Sequence, residues 1–150
     1  MKKILYLSVF AVIVFLAMSC PVGLVSRLDY IQHADVSIYC LEYDGDCVNI
    51  GIAKEVHSTV SLYSEIVTQC KNVQGVTMTF EGTRQQAMDV LSSLSADIID
   101  IQQLDSIMTV YAHSPIVKGG IVVDGNLVNI QIAYCDGVVH VGSPLILGSY

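Results

Sequence analysis

Apolar and polar side chains alternate from residue 34 to 43: Ala34, Val36, Ile38 and Cys40 are separated by Asp35, Ser37 and Tyr39. That period of two predicts a strand over Ala34–Tyr43, with Cys47–Ile52 as a short hairpin partner beyond Tyr43-Asp44-Gly45-Asp46. Ser61 is placed to cap a helix over Leu62–Lys71, which would carry Leu62, Ile66 and Cys70 on one side. The first turn of that helix competes with Val56, Ser58 and Val60, which alternate as a strand would. Val76–Phe80 is the next predicted strand.

The strongest local signal follows. Thr83 and Gln86 have the spacing of a capping box, in which each side chain satisfies the other residue's orphan amide. Ala87, Val90, Leu91 and Leu94 then recur at i, i+3, i+4 and i+7, one apolar stripe on a helix whose wet side carries Arg84, Gln85, Asp89, Ser92 and Ser93. Ile98–Leu104 and Ile107–His113 predict two strands joined at Asp105-Ser106. Val128, Ile130, Ile132 and Tyr134 alternate with Asn129, Gln131 and Ala133. A turn at Asp136-Gly137 would set Tyr134 against Val139 and Ile132 against Val141. A second turn, at Gly125-Asn126, would set Val123 against Val128 and Ile121 against Ile130. The consistent solution is an α+β domain over residues 30–150, an antiparallel sheet with two helices packed on one face.

Ahead of it, Lys2 and Lys3 precede an apolar run, and Ile4–Val25 is 22 residues without a formal charge. Residues 1–25 therefore predict a signal peptide or a membrane anchor, in the form of an N-terminal hydrophobic helix. Ala17-Met18-Ser19 offers small residues for cleavage before Cys20. Lipidation at Cys20 would normally want Leu, Val or Ile where Ala17 stands. Cleavage, lipidation and retention as an anchor stay open, and all three put the domain outside the cytoplasm, secreted or held on the outer face of the membrane.

Charge narrows the partners. Loss of Lys2 and Lys3 with the leader would take the net charge from −7 to −9. Such a chain lacks the cations that neutralise phosphates, so nucleic acid is excluded as an expected partner. An anionic membrane surface is excluded on the same ground, leaving the N-terminal segment as the expected membrane contact. Beyond Cys20, the cysteines are Cys40, Cys47, Cys70 and Cys135, in no zinc-like spacing. A tight turn would hold Cys40 and Cys47 diagonally, about 7–8 Å apart, too far for a disulfide; a looser one would bring them together.

The tail Val141-Gly142-Ser143-Pro144-Leu145-Ile146-Leu147, ending at Tyr150, resembles that of the YwmB-like family, as do "FEGT" at 80–83 and "TVYAHSP" at 109–115. The resemblance spans Gly75–Tyr150. It implies an exported protein of a sporulating Gram-positive bacterium with a TATA-box-binding-like fold, and no catalytic residue. DNA binding does not come with that shape, because the sheet face opposite the core would show Asp100, Gln102, Asn129, Gln131 and His140, with no Lys or Arg. Asn129, Gln131 and His140 are instead the candidate partner-binding face.

Catalytic chemistry has thin support. No metalloprotease, nucleophile-elbow or phosphate-loop motif occurs. Cys135 and His140 share a face under the expected register, at a long diagonal spacing for a thiol and its base. His33, His57 and His113 are scattered, and Asp44/Asp46 and Asp97/Asp100 suit turns and strand edges. No cofactor is expected. The expectation is a non-enzymatic envelope domain binding a protein or peptide partner, with an exported hydrolase or transferase of unrecognised site as the alternative. Leu145–Leu147 should pack back as a short edge strand, since three loose aliphatics would be a sticky hazard.

Overall fold

The computed structural model describes residues 23–148; residues 1–22, with Cys20, lie outside them, while Leu24 and Val25 at the end of the predicted leader are buried in the core. In chain order the elements are helix α1 (Leu24–Arg27), β1 (Asp35–Glu42), β2 (Val48–Ile50), β3 (Ala53–Thr59), α2 (Tyr63–Gln69), β4 (Lys71–Glu81) and α3 (Arg84–Ser93). They continue with β5 (Asp97–Leu104), β6 (Ile107–His113), β7 (Ile121–Val123), β8 (Asn126–Val128), β9 (Ile130–Cys135) and β10 (Val138–Ser143). Eight strands form one antiparallel sheet in the order β2-β3-β1-β4-β10-β9-β6-β5, and β7 pairs with β8 apart from it. The architecture is α+β, a large antiparallel sheet with few helices.

Alternation decides what is buried. Val36, Ile38 and Cys40 of β1, Val76 and Met78 of β4, Val139 and Val141 of β10, Ile130 and Ile132 of β9, and Met108 and Val110 of β6 enter one continuous core. Helix α3 adds Ala87, Val90 and Leu91, with Leu94 just past its end. Its cap forms as the sequence indicates: Gln86 N donates to Thr83 Oγ1 at 3.1 Å, and Thr83 N donates to Gln86 Oε1 at 2.8 Å. Helix α2 is a looser partner. None of its residues is buried, though Tyr63, Ile66 and Val67 pack against the core. Its N-cap is Leu62 and not Ser61, whose hydroxyl is paired with that of Thr59 at 3.1 Å.

Three pairings differ from the sequence expectation. Strand β1 pairs with β3 and β4, while the expected hairpin partner contributes only the edge strand β2, paired with β3. The Val56/Ser58 alternation wins because β3 is long enough to match β1 from Asp35 to Cys40, and Gly51 at φ 60 supplies the tight turn between β2 and β3. In the second case, the turn sits at Asp124-Gly125, with φ 47 and 80, so Val123 faces Asn126 and Ile121 faces Val128. Two successive positive-φ residues define the hairpin turn that twists with its strands, and Asp-Gly fits it better than Gly-Asn. The Asp136-Gly137 turn, with φ 48 and 83, keeps the expected Tyr134–Val139 and Ile132–Val141 pairs.

The third difference is the tail. Leu145–Leu147 does not add an edge strand; it crosses the face of the sheet opposite the main core. Leu145 is buried in a second small cluster with Tyr111, Ile121, Val123 and Val128. Ile146 N donates to Gln131 Oε1 at 2.9 Å, and Leu147 lies over Gly75 of β4. Glycine makes this route available. A Cβ on Gly142 would stand 2.4 Å from Ile146 N and 2.5 Å from the Leu145 carbonyl carbon, whereas one on Gly75 would meet the end of the Leu147 side chain at 2.7 Å and the Ser143 carbonyl oxygen only at 3.1 Å. Overpacking against backbone cannot be relieved by a rotamer change. Gly142→Ala should therefore cost about 1–3 kcal/mol, and Gly75→Ala distinctly less, in paired thermal melts. Equal losses would contradict the tail's position.

Candidate functional site

Where the segment after α1 runs past the end of β4 and the flank of α3, the surface opens into a groove of about 850 Å³. That size is within the range of small-ligand and peptide side-chain sites. Ile31, Phe80, Val90 and Val138 give it an apolar lining, and Tyr30, Gln32, His33, Thr79 and Gln86 add polar groups. Three carboxylates also line it: Asp35 at the start of β1, Glu81 at the end of β4, and Asp89 on the wet side of α3. All three are solvent-exposed. Asp89 is held by Gln85 Nε2 at 2.9 Å, one helical turn back, and Tyr30 is tied to α3 through its hydroxyl and Ser93 Oγ at 3.0 Å. The groove thus has an apolar lining, acidic flanks and a rim fixed to the helix.

The face expected to meet a partner is largely used by the fold itself. Asn129 is 1% exposed and Gln131 5%. The Asn129 side chain accepts from Ser114 N and donates to the Ser114 and Val117 carbonyls, each at 2.7 Å. Gln131 holds the tail through Ile146. The expectation of an open polar face at these two residues is corrected: the 114–117 loop and the tail cover them, and their amides satisfy backbone groups that burial would otherwise leave unpaired. His140 is half-buried, with Nδ1 3.0 Å from Thr79 Oγ1, and desolvation lowers its pKa.

Cys135 Sγ is 3.8 Å from Ser106 Oγ and 3.6 Å from Asp136 Oδ2, while the His140 ring is engaged with Thr79. Among the described residues no group of three or more His, Cys, Asp or Glu side chains is placed to hold a metal ion. One arrangement escaped the sequence reading: Ser37 Oγ lies 3.4 Å from His57 Nδ1, and His57 Nε2 lies 3.9 Å from Glu55 Oε1. The order hydroxyl, imidazole, carboxylate is that of a nucleophile with its base and orienting acid. At 3.9 Å the carboxylate does not hydrogen-bond the ring. It is instead taken by the Tyr39 hydroxyl at 3.1 Å, and burial holds that phenol protonated.

No family model, curated protein or solved structure matches this chain. Sequence reading missed the groove because Asp35 stands on β1, more than a third of the described chain away from the neighbouring Glu81 and Asp89, and only the fold brings it beside them. Only the acidic net charge hinted at it.

Proposed function

We propose that the chain is an exported, non-enzymatic domain of the cell envelope whose groove binds a basic peptide segment of a protein partner. The observation that carries this reading is the placement of Asp35, Glu81 and Asp89 around the apolar surface of Ile31, Phe80, Val90 and Val138. Lys and Arg suit such a site, because their aliphatic stems cover apolar surface while their cationic heads reach carboxylates at the rim. The address comes from the leader pattern in residues 1–25, through cleavage or lipidation at Cys20 or retention as an anchor. That segment is also the proposed contact with the membrane. The YwmB-like resemblance supports an envelope role in a sporulating Gram-positive cell. Nucleic acid is not a fitting partner for an acidic groove. A second reading, an exported hydrolase or transferase, draws on the Ser37–His57–Glu55 row and would need the Glu55 carboxylate to leave Tyr39.

Titration of the purified full chain in detergent with a fluorescent Lys/Arg-rich peptide tests the groove. Exposed ion pairs contribute about 0.2–1 kcal/mol each, so losing three should weaken binding about tenfold. The triple variant Asp35→Asn, Glu81→Gln, Asp89→Asn should show that loss with an unchanged melting temperature, and added salt should weaken the parent protein's binding in the same direction. Equal affinity for a peptide of reversed charge would contradict the reading.

A further inference from the structure

Gly23, at the head of α1, and the β7–β8 hairpin lie at the same end of the sheet. Leu24, Val25 and Leu28 are buried at 0%, 1% and 0% exposure, so the core begins immediately after Gly23. Only Pro21, Val22 and Gly23 separate Cys20 from that core, and a tether of this length reaches at most about 14 Å. Gly23 lies beside the loop after β6, since a Cβ there would stand 3.7 Å from the Ile116 carbonyl oxygen. That loop is fastened to the hairpin in two places. Asn129, next after β8, donates from Nδ2 to the Val117 carbonyl at 2.7 Å, and a Cβ on Gly120 would meet Leu127 Cδ1 at 2.9 Å.

The hairpin is apolar on both sides. Ile121, Val123 and Val128 face Tyr111 and Leu145 in the second cluster. Val122 and Leu127 alternate with them, pair across the two strands and point outward, at 65% and 44% exposure. Two exposed aliphatics are ordinary on any protein surface; their place is what singles these out. The strand registers put His113, Ile130 and Ser143, and with them the hairpin, at one end of the sheet. Asp35, Glu81 and Val138, which line the groove, are at the other.

We propose that the Val122–Leu127 face of the hairpin lies on the lipid bilayer, so that the domain stands on the membrane with its groove turned away from it. The contact rests on the leader reading given above, with the chain retained as an anchor or lipidated at Cys20, because the short tether then holds this end against the lipid. Apolar side chains on one face of a surface element gain by burial at the boundary of headgroups and acyl chains, as those of amphipathic helices do. The turn Asp124-Gly125-Asn126 is exposed at the hairpin tip and stays with water and headgroups, so the hairpin lies flat. Lys118 on the loop and Arg27, one helical turn from Gly23, are exposed near the same end. Their stems can cover apolar surface while their cationic heads meet lipid phosphates. Tethering supplies the proximity, and the contact does not need the strongly basic surface that the chain lacks.

The chain has no tryptophan, so a single introduced one reports its own surroundings. Val122→Trp, Leu127→Trp and Leu104→Trp variants of the full chain are reconstituted separately in phosphatidylcholine nanodiscs, with and without bromine high on the acyl chains. Leu104 is 72% exposed and sits at the groove end of β5. Tryptophan suits the membrane interface, and at 122 and 127 it should lose most of its emission to the brominated lipid. At 104 the emission should be unchanged. Melting temperatures close to the parent's confirm that the three exposed replacements are folded, and either hairpin position suffices if the other is not. Failure of the full chain to co-elute with nanodiscs would overturn the retained leader and the contact together. Co-elution with unquenched emission at 122 and 127 would overturn the contact alone, as it would if a second copy or another protein shielded the pair. Equal quenching at 104 would overturn the orientation.

Discussion

Leu91→Asp should abolish the cooperative thermal transition. Leu91 is 3% exposed on the inner stripe of α3, in the core that Val90, Ala87 and Leu94 share with the sheet. An uncompensated buried charge costs about 3–5 kcal/mol even after relaxation, and the lost apolar burial adds about 1.5–3. Ordinary domains have only about 5–15 kcal/mol in total. The paired control is Asp89→Asn, two residues earlier, on the exposed side. It keeps a side-chain acceptor for Gln85 and should move stability by less than about 0.5 kcal/mol. Circular dichroism melts of the two variants measure the difference, and similar losses would contradict the orientation of α3.

Asn129→Ala should be the most damaging substitution of a polar residue, at about 3–5 kcal/mol. The change removes three 2.7 Å hydrogen bonds and leaves Ser114 N, Ser114 O and Val117 O without them inside the protein. Each buried group stranded in this way costs about 1–3 kcal/mol. The consequence should be local first. Ser114 Oγ also donates to the Leu94 carbonyl at 2.6 Å and accepts from Ile116 N at 3.3 Å, so the loop after β6 is tied to the end of α3 through the same residue. Limited proteolysis should therefore cut the variant within residues 114–120 at temperatures where the parent resists. Asn129→Asp should not rescue it, because a carboxylate would face two carbonyl oxygens. A loss below about 1 kcal/mol with no new cleavage would show that the loop is held by something else.

The legible parts of this fold are those with a local cause. The Thr83–Gln86 box and the 87/90/91/94 stripe fix α3 from a dozen neighbouring residues, and Asp136-Gly137 fixes the β9–β10 register through turn geometry alone. Errors appear where a choice between partners is made at long range. The partner of β1 could be either segment flanking Gly51, and local alternation favours neither until sheet length and burial are weighed together. The 121–128 hairpin shows a subtler failure. Both Asp124-Gly125 and Gly125-Asn126 offer a turn, and moving from one to the other changes every cross-strand pair.

The candidate site was less legible for the same reason. Asn129 and Gln131 alternate with buried apolar residues and so read as solvent-facing, but alternation assigns a side of the sheet and does not reveal what covers it. Their covers are the 114–117 loop and a tail threaded over Gly142 and Gly75. Conversely, the groove draws on the segment after α1, the end of β4 and one flank of α3, which no short motif connects.

Photo-crosslinking in intact cells tests the proposed peptide groove most directly. A benzophenone side chain would replace Tyr30, which lines the groove and is 57% exposed, and in a second strain Leu104, which is 72% exposed on the outermost strand β5. The account predicts crosslinks from position 30 to a Lys/Arg-rich segment of an envelope protein, lost in the Asp35→Asn, Glu81→Gln, Asp89→Asn background, with little capture from position 104. Capture from position 104 alone, or from position 30 to a segment without basic residues, would contradict it.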